Sequence, residues 1–131
     1  MTDLWGELEV APIKTPVSIL REQGSLLEQK TKGVLTVSIP SSQQASGNEA
    51  RFVHSFSIRV PSLNYTYLLF SITHKITLYP VTFIGAPEIL EGKSSKIAKD
   101  EQEFLKILGQ ILKSQKTQSI LNALLSQSAV T

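Results

Sequence analysis

The tightest constraint on what this chain can fold into lies between Arg51 and Thr73. Ten alternating residues, RFVHSFSIRV, are followed by four turn residues, PSLN, and then by nine more of strand character, YTYLLFSIT. The first run places Phe52, His54, Phe56, Ile58 and Val60 on one side and Val53, Ser55, Ser57 and Arg59 on the other, the period of a half-buried strand. The second carries apolar residues on both sides, Tyr65, Tyr67 and Leu69 against Leu68, Phe70 and Ile72, as a central strand does. A connection of only four residues between them dictates antiparallel pairing.

Flanking segments extend this pair. VLTVSIP (34–40) alternates and ends at Pro40, so it reads as a strand hairpinned to 51–60 across SSQQASGNEA (41–50), a polar, mobile connection without the glycine spacing of a phosphate cradle. His74-Lys75 reads as a tight reversal into ITLYPVTFI (76–84), where Pro80 demands an edge or a bulge. Lys96-Ile97-Ala98 is a candidate short fifth strand.

Helices bracket the sheet. In TPVSILREQGSLLEQKTKG (15–33), Thr15 suits the N-cap, Pro16 the first helical position and Gly33 the left-handed C′ position. Val17, Leu20, Gly24, Leu27 and Thr31 recur at spacings of 3, 4, 3 and 4 and form the buried stripe. Gly24 on that stripe implies a closely approaching backbone, since glycine inside a helix costs about 1 kcal/mol against alanine. The polar Arg21-Glu22-Gln23 patch reads as a solvated turn. Asp100 with Glu103 opens a second helix carrying Phe104, Leu105, Ile107, Leu108, Ile111 and Leu112, and Ser114 caps a third with Ile120, Leu121, Leu124 and Leu125. The expected architecture is α+β: an N-terminal helix, a four-stranded antiparallel meander with a candidate fifth strand, and two C-terminal helices packed on one face. Residues 1–14 form an arm, 15–127 a single domain and 128–131 a tail. Trp5 in the arm is expected to peg into the chain's own core, with docking on a neighbour's surface as the alternative.

Composition removes several functions. No cysteine is present, so disulfides and thiolate metal sites are excluded and a reducing compartment fits. The opening MTDLWGELEV has acids where a secretory leader needs a basic region. No run approaches about 18 apolar residues. A cytoplasmic protein with no membrane partner is expected. A net charge of +2 is far from that of a dedicated nucleic-acid binder, although residues 93–131 hold six lysines against three acids.

The ordered segments PVSILREQGSLLEQKTKG, PSLNYTYLLFSITH, LYPV and EFLKILGQILKSQKTQSILNALL resemble a set of small bacterial proteins of no assigned activity. The resemblance implies an order of segments and a bacterial source, and it assigns no site residue.

Candidate chemistry is sparse. His54 and His74 lack a carboxylate or cysteine at ligand spacing, which argues for a core or rim histidine at 54 and a solvated turn histidine at 74, and against a metal or cofactor. Ser71/His74 and Ser55/His54 are the serine–histidine pairings that sequence proximity suggests, and no catalytic residue is assigned. The leading expectation is a small non-catalytic module that binds another protein or itself, either immunity- or antitoxin-like or an accessory subunit. Tyr65, Tyr67 and Tyr79 with Arg59 are its candidate contacts, since aromatic residues and arginine dominate interface hot spots. Nucleic-acid binding through Lys106, Lys113 and Lys116 is the alternative, and a small-molecule carrier the third reading.

Overall fold

The computed structural model describes residues 2–8, 14–47 and 49–129. Among them, helix α1 (Pro16–Lys30) precedes strands β1 (Thr36–Ser38), β2 (Ser41–Ser46), β3 (Glu49–Val60), β4 (Tyr65–His74), β5 (Val81–Gly85) and β6 (Ser95–Ala98). Helices α2 (Glu101–Lys113) and α3 (Gln115–Ala129) follow. The strands form one antiparallel sheet in the order β1-β3-β4-β5-β6, with β2 also paired to β3.

Helix boundaries obey local chemistry. Thr15 Oγ1 accepts from the Ser18 amide at 3.2 Å, and Pro16 occupies the first turn. At the far end the Gly33 amide reaches Glu28 O at 2.9 Å and the Lys32 amide reaches Gln29 O at 3.2 Å, a Schellman closure. The left-handed C′ residue is therefore Lys32 (φ 53°), with Gly33 one position further on. Asp100 caps α2 by accepting from the Glu103 amide at 2.9 Å, while the Glu103 carboxylate takes the Lys99 amide. Ser114 separates α2 from α3 and accepts from the Thr117 amide.

Three strand expectations need correction. SSQQAS is a strand, β2, continuing the register of β1 beyond Pro40 and turning back at Gly47 (φ 64°). The segment 75–80 is a loop containing the left-handed Leu78 (φ 78°) and a cis Tyr79–Pro80 bond, so the next strand begins only at Val81. β4 carries a bulge: Phe56 pairs with Phe70 and Ser57 with Leu68, leaving Leu69 unpaired. That extra residue shifts the alternation. Tyr65 and Tyr67 before it, and Phe70, Ile72 and His74 after it, share one side with the buried Leu69, so the apparent two-sidedness of β4 is largely a change of phase.

One side of the sheet holds the core. Phe56, Ile58, Phe70, Ile72, Val81 and Phe83 are buried there beneath Ile19 and Leu20 of α1, Phe104, Leu108 and Ile111 of α2, and Leu124 of α3. Phe83 and Phe104 approach to 5.0 Å between ring centroids and Phe56 and Phe70 to 5.1 Å, distances at which aromatic pairs add to burial. Gly24 lies over β1, where an added Cβ would stand 2.9 Å from Val37 Cβ. The close approach at Gly24 is thus that of the Val37 side chain on β1, not of a backbone.

Candidate functional site

Two features stand apart from the packed core. The first is the outer face of the sheet, opposite the helices. Cross-strand pairing sets Val53, Thr73, Thr82 and Ile97 in one row and Ser55, Ser71, Ile84 and Ser95 in the next. Ser57 with Leu68, and Arg59 with Thr66, continue the face. No described element covers it. Leu68, Ile84 and Ile97 are 56%, 46% and 62% exposed. Ser55 and Ser71 bond each other at 3.1 Å, and Arg51 donates to Thr73.

The second is a hydrogen-bonded chain on the helix side that the sequence reading missed. His54 and His74 lie diagonally across β3 and β4, His54 opposite Ile72 and His74 opposite Phe52. Both are buried, and their Nε2 atoms approach to 3.2 Å. Ser41, directly opposite His54 on β2, places Oγ 2.6 Å from His54 Nδ1. His74 Nδ1 lies 2.7 Å from the Lys75 carbonyl oxygen.

These contacts fix the proton positions in the neutral chain. A carbonyl only accepts, so His74 Nδ1 carries hydrogen and His74 Nε2 is an acceptor. His54 Nε2–H therefore donates to it. His54 Nδ1 is left to accept from the Ser41 hydroxyl. Burial, then the proximity of His74, then Arg21 on α1 together depress the pKa of His54 below its usual 6.5, keeping the ring neutral. Thr15, Val17, Phe52, Ile76 and Leu78 join the two histidines around a cavity of about 200 Å³. Lys75, whose carbonyl meets His74, pairs through its ammonium with Glu49 at 2.9 Å.

His74 is thus neither solvated nor at a turn tip, and Ser55 and Ser71 point away from both histidines. Ser41 was hidden because β2 is an edge strand with polar residues throughout. Among the described residues, no group of three or more His, Cys, Asp or Glu side chains converges to hold a metal ion.

The other candidates disperse. Tyr65 and Tyr67 sit on the helix side, Tyr67 half-buried against the core. Tyr79 lies in the 75–80 loop, edge-on to Phe104, with its hydroxyl buried and unbonded, and burial raises its pKa. Arg59 faces outward on the opposite side, so the four residues make no common surface. Lys106 borders a groove beside β6 with Lys93 and Lys96, Lys113 borders another between α1 and α3, and Lys116 follows the break at Ser114. Arg21 and Glu22 are exposed, and Glu22 pairs with Lys14 at 3.5 Å. Trp5 is 81% exposed, contrary to its expected role as a core peg. Residues 9–13 of the arm lie outside the described residues. No helix among the described residues is long and apolar enough to cross a membrane. Comparison with models of known families, with characterised proteins and with solved structures returns no match.

Proposed function

We propose that this chain is a cytoplasmic bacterial protein-binding module, immunity- or antitoxin-like or an accessory subunit, and that the outer face of the sheet is its contact surface. The observation that carries this reading is the uncovered face with Leu68, Ile84 and Ile97 standing among serines and threonines. Exposed aliphatics grouped on one rigid surface favour association, and the surrounding hydroxyls supply hydrogen bonds at the rim. The tyrosines first expected to make the contact serve the helix side instead. Absence of cysteine supports a reducing compartment.

The test is a double variant, Ile84→Lys with Ile97→Lys, in a tagged chain purified from its native host. Partner recovery is expected to fall to background, with an unfolding free energy unchanged within about 0.5 kcal/mol, as for substitutions outside the core. Light scattering on the purified chain tells a second copy from a different protein. Undiminished recovery of a stoichiometric partner by the folded double variant would remove the outer face as the contact surface.

A further inference from the structure

We propose that Ser41 is a nucleophile, with His54 as its general base and His74 as the residue that positions His54, and that the site acts on a small ester or similarly activated acyl group. Nucleophilic catalysis by serine requires a base within hydrogen-bond reach and a third group that orients the base. All three are present: 2.6 Å from Ser41 Oγ to His54 Nδ1, 3.2 Å from His54 Nε2 to His74 Nε2, and 2.7 Å from His74 Nδ1 to a backbone carbonyl. The last contact sets the tautomers so that the lone pair of His54 faces the serine hydroxyl. Ser41 itself is exposed on an edge strand, whereas the two histidines behind it are buried.

The continuous register of β1 and β2 puts Val37, Ile39 and Ser41 successively on the helix side. Val37 and Ile39 floor a groove of about 310 Å³ whose α1 wall carries Arg21, Gly24, Ser25 and Glu28. The groove reaches Ile39, two residues before Ser41 on the same side of the chain.

The chemistry closes without a co-reactant beyond water. Ser41 Oγ attacks the acyl carbon and its proton passes to His54 Nδ1, while His54 Nε2–H stays bonded to His74. Collapse breaks the bond to the leaving alkoxide, which takes the proton from Nδ1 and departs as an alcohol. Water then attacks the acyl-serine, gives a proton to Nδ1 and expels Ser41 Oγ, which takes that proton back as the carboxylic acid leaves. The reaction is independent of the outer face, which lies on the other side of the sheet.

The experiment treats the full chain with a fluorophosphonate probe and maps the adduct by peptide mass spectrometry, with p-nitrophenyl acetate turnover in parallel. One adduct on Ser41 is expected, absent in Ser41→Ala. Its rate should fall by about 10²-fold in His54→Gln. In the parent chain the rate should decline on the acid side with a midpoint below the ordinary histidine value. In His74→Phe that midpoint should move, which a purely packing role for His74 would not cause. Circular dichroism establishes that each variant is folded. No adduct on the folded parent chain overturns the proposal, as does an adduct distributed over other serines. If His54→Gln fails to fold, the parent chain decides alone: a Ser41 labelling rate that shows no acid-side decline at any pH below 6.5 at which the chain stays folded is equally fatal.

Discussion

The two sides of this sheet are built from alternate residues of the same strands, yet they answer to different physics. On the helix side Phe56, Ile58, Phe70, Ile72, Val81 and Phe83 are each no more than 1% exposed. On the outer side the neighbouring positions are Ser55, Ser57, Arg59, Ser71, Thr82 and Ile84, and of these only Ser57 is buried. Stability is concentrated on the first side, where apolar surface leaves water, whereas the second contributes little to it and is free to vary with what it recognises. The bulge at Leu69 marks the join. By spending one residue it keeps both ends of a ten-residue strand aimed at the same core.

Substitutions that trespass across this division have graded consequences. The largest is expected for Phe104→Ala, which strips an aromatic side chain from contact with Phe83 and Tyr79 and should lower unfolding free energy by about 3–5 kcal/mol in urea titration. An equally severe loss from Ile84→Lys on the outer side would erase the contrast. Gly24→Leu comes next. Its Cβ alone would crowd Val37, and overpacking at the α1–β1 contact should cost about 1–3 kcal/mol and lower the thermal midpoint.

The smallest of the three effects concerns the histidine chain, the most polar part of the helix side. Because His54 is harder to protonate folded than unfolded, its contribution is fully present above the ordinary histidine value of 6.5. It is lost as pH falls from there through the depressed folded value. Urea midpoints measured at successive pH values should therefore decline across that window in the parent chain and flatten in His54→Gln. Glu49, held below the usual carboxylate value of 4.5 by Lys75, loses its contribution only as pH falls below 4.5, and the part of the decline that His54→Gln removes belongs to His54.

What was legible in the sequence was what neighbours in sequence determine. The caps at Thr15 and Asp100, the break at Ser114 and the alternation of 51–60 depend on residues a few positions apart, and each is where local chemistry places it. The α+β arrangement followed from their order. β2 was not legible, because an edge strand needs no apolar alternation to hold its ladder. The bulge was not legible either, since one unpaired residue alters facing without altering composition. Ser41, His54 and His74 meet only through the β2–β3 and β3–β4 registers, with the two histidines twenty residues apart along the chain. Sequence proximity favoured Ser55 and Ser71 instead, and in an extended strand adjacent residues face opposite sides.

The exposed indole of Trp5 has a practical consequence for all these measurements. It is the chain's single tryptophan and makes no part of the buried core, so its emission begins as that of a hydrated indole and has little reason to change when the core melts. Unfolding must be followed by the amide or tyrosine signal. What the tryptophan can report is coverage of the arm: a blue shift on mixing marks another surface closing over it, and the molecule carries its own optical sensor of association, spectrally separate from its folding.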